Sequence, residues 1–256
     1  MLSKERDLAQ RMGDIESPAK LKTKGVEAVD KALRILSLFE ARNAELSLGD
    51  ISLSMGLGKS SVLRLLVSLM EGGYVIATPS KRYTIGPEAF RVGRVYQQNS
   101  KLEPVIRPVL KQMVRESGES ASFFQREGRK RICLFREDSD HLLREHVAEG
   151  DAVEIGKGAA GHVFVDYERL RGALPATSEM LSTLPIVSVG ERGPGIAGLS
   201  VPIFDMDGAM IGALSLSGPS TRFPEDRIAE LGLIVMHGAR AISAGLRSRF
   251  YENFAV

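Results

Sequence analysis

The sequence predicts an α+β protein in which a helical N-terminal domain precedes a C-terminal domain with an antiparallel sheet and flanking helices. Three observations support this prediction. In the first hundred positions apolar residues recur at helical spacing, whereas from Ala121 the spacing changes towards two, which is typical of strands. Helical spacing returns over residues 224–247. The 256 residues are also enough for about two domains, each with its own core.

The composition excludes several classes of protein. With 43% apolar and 26% charged residues, the chain is typical of soluble globular proteins. No apolar run approaches the ~18 residues of a membrane-spanning helix, and no signal-peptide core is present. We therefore expect a cytoplasmic protein with no membrane partner.

The cysteine and histidine content argues against a metal or another cofactor. The single cysteine, Cys133, excludes an internal disulfide and a cysteine-rich zinc site. The four histidines do not show the spacing of metal ligands. We expect no cofactor.

Positive charge is concentrated near the N-terminus. Between Lys20 and Gly86 there are ten Lys and Arg residues against six Asp and Glu, whereas acidic residues exceed basic ones by two from Lys101 to the end. A local excess of positive charge is typical of a domain that binds the phosphates of DNA.

The chain begins with an expected flexible arm and two helices. Residues 1–23 are polar and lack periodicity. The lysines at 20, 22 and 24 either contact DNA or only make the arm soluble. A first amphipathic helix is predicted over about 26–41, with an apolar stripe of Val29, Leu33, Leu36 and Phe39 that Ala32 and Ile35 support. Ser47 and Asp50 have the spacing of a capping box, which opens a short helix that ends at Gly56.

The stretch from Gly58 to Gly86 predicts a helix followed by a basic hairpin. One face of the helix is apolar, through Val62, Leu65, Leu66 and Leu69. Gly72 and Gly73 end it, and two short strands then turn at Pro79 and Ser80. Together with the preceding helices, this order predicts a winged helix-turn-helix over residues 24–86.

The polar residues of this stretch are candidate DNA contacts. Hydroxyl and guanidinium groups suit base edges, and cations and hydroxyls suit phosphates. A merely solvated helix face would show the same pattern, but the surrounding elements favour DNA binding. We predict base contacts for Ser60 and Arg64, and backbone contacts for Lys59, Ser61, Lys81 and Arg82.

The remaining elements follow from periodicity. A linker helix is predicted over 87–100 and a further helix from about Leu102. Strands are predicted at 122–126, 131–136, 196–204 and 209–217, and a helix over 224–247.

Three motif blocks resemble the IclR-type family of bacterial transcriptional regulators. LSLGDISLSMGLGKSSVLRLLVSLMEGGYV resembles its DNA-binding domain, and RYTIGPEAFRVG its wing and linker entry. GIAGLSVPIFDMDGAMIGALSLSGPSTRF, residues 195–223, resembles the end of its effector domain. The resemblance implies a GAF-like effector-binding and oligomerisation domain over 101–256. It also implies homodimers or tetramers on a pseudo-palindromic double-stranded DNA operator, and a small organic acid effector such as a carboxylate or aromatic acid.

Candidate effector contacts lie in the C-terminal domain. Ser215 and Ser217 point to the same side of a predicted strand, where two hydroxyls suit a carboxylate, although a solvated sheet face would alternate in the same way. GAAG, residues 158–161, resembles the family's turn into a pocket helix, which implies roles for Ala159, Ala160 and Gly161. Gly198 falls where some members have a polar ligand contact. The region 162–194 is shorter than in typical members, which leaves the shape of the pocket open.

Other functions fit less well. GKGAAG, residues 156–161, fits GxGxxG but lacks a βαβ context. Cys133 lacks an identified base, so that a buried structural cysteine is favoured over a nucleophile. No catalytic residues are identified, and the alternative to a regulator is a small-acid-binding protein or enzyme acting through the C-terminal domain.

Overall fold

The computed structural model describes residues 24–40, 43–167, 170 and 175–254. The proposed arm, 1–23, lies outside the described residues. The chain divides into two compact units between Arg94 and Val95. Each unit is described by itself.

The N-terminal unit is a winged helix-turn-helix. Its elements are α1 (Glu27–Leu36), α2 (Leu48–Met55), α3 (Lys59–Glu71), β1 (Val75–Ala77) and β2 (Tyr83–Ile85), followed by the start of α4 (Pro87–Asn99). β1 and β2 pair antiparallel to form the wing. The helices and β1 enclose one core of Ile35, Leu46, Ile51, Met55, Val62, Leu66, Leu69 and Val75.

The predicted capping box opens α2. The Asp50 backbone N–H donates to Ser47 Oγ at 3.1 Å, and the Ser47 N–H donates to Asp50 Oδ2 at 2.8 Å. Gly56 ends the helix with φ of 64°, in the left-handed region that glycine adopts readily. These local signals therefore fix the turn between α2 and α3.

The apolar stripe predicted for α1 is buried only in part, because Ala32, Ile35, Leu36 and Phe39 belong to or pack against the core while Val29 and Leu33 do not. Ile35 is fully buried, whereas Val29 and Leu33 are 52% and 57% exposed. The helix also ends at Leu36 rather than near Ala41. Helical spacing identified an apolar helix but could not choose between its two apolar sides, because both carry residues spaced three and four apart.

The C-terminal unit is built on a six-stranded antiparallel sheet in the order β5-β4-β3-β8-β7-β6. Its strands are β3 (Ser120–Glu127), β4 (Lys130–Glu137), β5 (Ala152–Glu154), β6 (Ile186–Val189), β7 (Ile196–Phe204) and β8 (Met210–Pro219). Its helices are α5 (Glu103–Ser117), α6 (Ala159–Tyr167), α7 (Ser178–Ser182) and α8 (Glu225–Gly245). The predicted α+β class is thus confirmed.

The two faces of the sheet bury different helices. On one face α5 and α8 pack against residues such as Phe123, Leu214 and Leu216. On the other, α6 packs against Phe124, Cys133 and Ala213. Every described pairing in the sheet is antiparallel, so GKGAAG does not belong to a dinucleotide-binding βαβ unit.

No single helix among the described residues is long and apolar enough to cross a membrane. α2 and α3 meet the length and composition criteria only as a pair bent by 109°. Their apolar sides contribute to the core of the N-terminal unit.

We expect Gly86→Ala to destabilise the N-terminal unit. A Cβ at residue 86 would lie 2.2 Å from the Gly73 carbonyl oxygen, and the Gly86 N–H donates to Tyr74 O at 2.7 Å, so the backbone has little room to move. Overpacking of this kind lowers the free energy of unfolding by about 1–3 kcal/mol. Urea denaturation of the full chain measures it.

Gly93→Ala is the matched control for this substitution. No atom lies within 4 Å of a Cβ at residue 93, which is exposed in α4. Alanine is favoured over glycine in a helix by roughly 0.5–1 kcal/mol. Equal stability of the two variants would contradict the steric argument.

The thiol of Cys133 should be inert in the folded protein. Burial, only partly opposed by the charge of Arg136, raises its pKa to about 12, so the thiol stays protonated at pH 8. The thiolate is the reactive species, and its population is lowered by about a thousandfold or more relative to an ordinary cysteine. Reaction with Ellman's reagent at pH 8 should be slow without denaturant and fast in urea. Similar rates in both would contradict the assignment.

Candidate functional site

The N-terminal half of α3 presents the predicted base and phosphate contacts to solvent. Lys59, Ser60 and Arg64 are exposed, and Ser61 is half-buried. Gly58, the residue before the helix, supplies no side-chain cap. The start of α3 and the cation of Lys59 are thus available to an anion, whereas the start of α2 is capped by the side chain of Ser47, with Asp50 completing the capping box.

The tip of the wing has a defined backbone. The Thr78 N–H donates to Arg82 O at 2.8 Å, and the Lys81 N–H donates to Thr78 O at 3.0 Å. Lys81 has φ of 59° and is exposed at the tip of this turn. Its side chain is therefore open to solvent, and its contact with a phosphate stays a prediction.

Arg82 holds the wing against α2. Its Nη2 donates to the Glu45 backbone oxygen at 2.8 Å and lies 3.5 Å from Asp50 Oδ2. Hydrogen bonds from the backbone and side chain of Ser47 lower the pKa of Asp50, and the charge of Arg82 contributes. The sequence grouped Arg82 with Lys81 as a wing cation, but the structure gives Arg82 intramolecular partners.

A cavity lies on the α6 side of the sheet, at the N-terminal end of α6. The centres of water molecules can occupy about 30 Å³ of this cavity, which is enough space for roughly two waters. Its polar lining comprises Arg131, Glu145, Ser188, Arg192, Ser215 and Ser217. The cavity is small and polar, and its charged groups come from strands and loops distant in sequence.

The predicted serine pair faces this cavity. Ser215 is only 5% exposed, so β8 does not present a solvated face there. The Ser215 hydroxyl donates to Ser200 Oγ at 2.8 Å, and Ser200 Oγ donates to Leu214 O at 2.8 Å. Ser215 and Ser217 both line the cavity and thus lie on one side of β8, as predicted. Leu214 and Leu216 belong to the core on the other side of the sheet.

The small residues predicted as effector contacts occupy two kinds of position, some in the cavity lining and one outside it. Ala159, Ala160 and Gly198 line the cavity. A Cβ at Gly198 would approach Leu216 O to 3.0 Å, so the neighbouring strand restricts this position. Gly161 does not line the cavity, and a Cβ there would lie 2.9 Å from Arg131 Nη1 and from Gly156 N.

The chain's own carboxylate caps the turn into α6. The Gly158 N–H donates to Glu191 Oε2 at 3.0 Å, and His162 Nε2 lies 2.7 Å from the same oxygen. The Gly158 hydrogen bond and then that of His162 lower the pKa of Glu191. The Gly158 N–H at the start of this turn is therefore already satisfied by a carboxylate of the chain itself.

Arg131 is a charged group that sequence reasoning missed. Its side chain is 1% exposed, and it donates to the backbone oxygens of Glu154 at 2.6 Å and Lys157 at 2.9 Å. Its guanidinium carbon lies 5.4 Å from the centre of the Phe124 ring. Burial, with the nearby charge of Arg192, lowers its pKa to about 10, so it remains charged at neutral pH.

An ion pair joins two loops beside Arg131. Glu145, in the loop before β5, pairs with Arg192, in the loop between β6 and β7. The Glu145 side chain is only 2% exposed. Neither residue belonged to a recognisable motif. The signal for Arg131 was its position two residues before Cys133 in an apolar strand, which places both side chains on one buried face.

No group of three or more His, Cys, Asp or Glu side chains within the described ranges is arranged to hold a metal ion. The polar groups of the cavity are suited to an organic anion, because they combine a buried guanidinium with hydroxyls.

Two models of one family match this chain in order. The IclR helix-turn-helix domain matches residues 28–78, and the bacterial transcriptional regulator IclR C-terminal domain matches residues 186–244. The HTH-type transcriptional regulator BhcR of Paracoccus denitrificans is 28% identical over 249 residues, which cover 88% of this chain and 89% of that protein.

Solved structures share the fold. An IclR transcriptional regulator from Silicibacter sp. TM1040 has a TM-score of 0.74 at 20% identity, covering 87% of this chain and 97% of that one. An IclR homologue from Microbacterium hydrocarbonoxydans, complexed with 4-hydroxybenzoate, has a TM-score of 0.66 at 17% identity, covering 86% and 99%. The chain therefore carries both domains of IclR-type bacterial transcriptional regulators, in the same order, and resembles such regulators over most of its length.

Proposed function

We propose that this protein is a cytoplasmic, sequence-specific DNA-binding regulator whose operator affinity responds to a small organic acid. Residues 24–86 form the DNA-binding domain, 87–100 the linker helix, and 101–256 the effector and oligomerisation domain. The observation that carries the effector assignment is the buried, charged Arg131 in a serine-lined cavity. The 4-hydroxybenzoate bound by the Microbacterium homologue is a ligand of the same acid class.

The proposed DNA binding is supported by the exposed polar face of α3. Arg64 and Ser60 project from the face opposite the core, where they can reach base edges in a major groove. Lys59 and the uncapped start of the helix suit a phosphate, and Lys81 at the wing tip suits another. In a homodimer, two such helices would enter successive major grooves of a pseudo-palindromic operator.

The proposed response to an effector requires that the ligand bind two conformations of the protein with different affinities. An acid that enters the cavity must accommodate the Glu145–Arg192 pair, which joins two loops across it. A ligand shifts a conformational equilibrium only by its difference in affinity for the two states. We propose that rearrangement of these loops is the local event that changes operator affinity.

Fluorescence anisotropy with the full chain tests this function directly. The protein's own upstream DNA is compared with a scrambled duplex across a salt titration, with and without a panel of small organic acids. We expect tighter binding to the upstream DNA and a shift by at least one acid. Equal, weak and salt-sensitive binding to both duplexes would contradict sequence-specific regulation, because phosphate attraction alone produces it.

Arg64→Ala and Lys81→Ala should have different effects on DNA binding. Loss of a base contact should reduce discrimination between operator and scrambled DNA by about 1–3 kcal/mol. Loss of a phosphate contact in Lys81→Ala should lower the affinity for both duplexes similarly. It should also reduce the slope of log affinity against log salt concentration by about 1. The same anisotropy titrations measure both effects.

Lys111→Ala is the control for loss of a positive charge. Lys111 is exposed on α5, outside the winged helix-turn-helix. We expect its operator affinity to match that of the unchanged protein. If Arg64→Ala behaved like Lys111→Ala, Arg64 would not be a base contact.

A further inference from the structure

Hydrogen bonds at two levels tie the wing to the segment that leads into α2. At the base of the wing, the Leu46 N–H donates to Tyr83 O at 2.9 Å, and the Tyr83 N–H donates to Leu46 O at 2.8 Å. Nearer the tip, the Arg82 side chain contacts Glu45, which precedes α2, and Asp50, in the first turn of α2. Because β1 and β2 have only three residues each, the position of the tip depends on this second contact.

The charge of Arg82 is already balanced by carboxylates of the chain. In addition to its contact with Asp50 Oδ2, Arg82 Nε lies 3.9 Å from Glu45 Oε2. One cation thus faces two carboxylates, which leaves an excess of one negative charge. A DNA phosphate that approached Arg82 would be repelled by this excess, so the site is poorly suited to a phosphate contact.

Lys81, the preceding residue, has the opposite properties. Its side chain is exposed, and its ammonium group has no hydrogen bond or ion pair within the part of the chain that the structure describes. Its φ of 59° is uncommon for a residue other than glycine and persists only where the surroundings fix the backbone. Thr78 fixes it, since Thr78 O accepts from the Lys81 N–H and Thr78 Oγ1 accepts from the Arg82 N–H at 3.3 Å. Residues 78–82 are therefore one bonded turn, in which the placement of Arg82 also places Lys81.

We propose that Arg82 is a positioning residue for DNA binding, which holds the wing tip against Glu45 and Asp50 and thereby places Lys81 against a phosphate. This role replaces the backbone contact that the sequence predicted for Arg82. It rests on the proposed function and adds a residue that acts on DNA affinity through another side chain.

Removal of the Arg82 side chain should leave the fold intact. Arg82 lies outside the core of the N-terminal unit, and the side chains of Glu45 and Asp50 are 49% and 52% exposed. Exposed ion pairs of this kind contribute little to stability. We therefore expect Arg82→Gln to lower DNA affinity while the midpoint of urea denaturation stays close to that of the unchanged protein.

A double-mutant cycle in the full chain tests how Arg82 acts. Fluorescence anisotropy across a salt series compares the unchanged protein, Lys81→Ala, Arg82→Gln and the double variant on the protein's own upstream DNA. In the unchanged background, Lys81→Ala should reduce the slope of log affinity against log salt concentration by about 1. In the Arg82→Gln background, the same substitution should reduce this slope by less than about one half, because the displaced tip no longer brings Lys81 to its phosphate.

Additive effects would overturn the proposal. If Arg82 and Lys81 each contacted a phosphate, the double variant would lose about 2 from the slope, with about 1 from each substitution. Partial unfolding of Arg82→Gln would also give additivity, because Lys81 would keep its full effect in the molecules that remain folded. DNA binding unchanged by either single substitution would overturn the proposal as well.

Arg91→Gln is the matched control. Arg91 is an exposed arginine of α4 whose Nε donates to Glu88 Oε1 at 3.0 Å and Oε2 at 2.9 Å, so its substitution removes the same charge and the same kind of ion pair. Lys81→Ala should retain its full effect on the slope in this background. A reduced effect there would overturn a role specific to Arg82.

The cycle can be measured on upstream or on scrambled DNA, since phosphate contacts do not depend on sequence. Equal binding to the two duplexes would therefore contradict sequence-specific regulation while the cycle still tests Arg82. Additive effects together with preference for the upstream DNA would remove the role of Arg82 and leave the proposed regulator intact.

Discussion

The alternation of side chains along β8 determines both the core and the cavity of the C-terminal unit. Leu214 and Leu216 are buried with α5 and α8, while Ser215 and Ser217 face the side of α6. Because this side is also covered, Ser215 is buried and Ser217 is half-buried, so neither belongs to a fully solvated sheet face. A shift of one residue in the register would move leucines into the cavity and hydroxyls into the main core. The pairing of β8 with β3 and β7 therefore holds the site in place.

Local signals predicted much of the fold. The capping box at Ser47, the turn at Gly56 and the period-two strands each depend on neighbours within a few residues, so one sequence contains the necessary information. The choice of buried side on α1 depends on the tertiary partners of the helix. This is why Val29 and Leu33 are exposed although they lie on the predicted apolar stripe.

The cavity could be predicted only in part for the same physical reason. Ser215 and Ser217 follow from the periodicity of one strand, and the turn at residues 158–161 was implied by its resemblance to the turn into a pocket helix in IclR-type regulators. Glu145 and Arg192 are 47 residues apart, in loops without motifs, and meet only after the sheet is assembled. The burial of Arg131 likewise depends on carbonyl oxygens of residues 154 and 157 that the fold brings to it.

The contact between Arg82 and Asp50 links the wing to the helix-turn-helix through exposed charges. Salt weakens exposed ion pairs as well as attraction between protein and phosphate. Raising the ionic strength would therefore loosen the wing while it weakens DNA binding. The slope of affinity against salt for this protein thus contains an internal contribution, and reading it as a count of phosphate contacts would give too high a number.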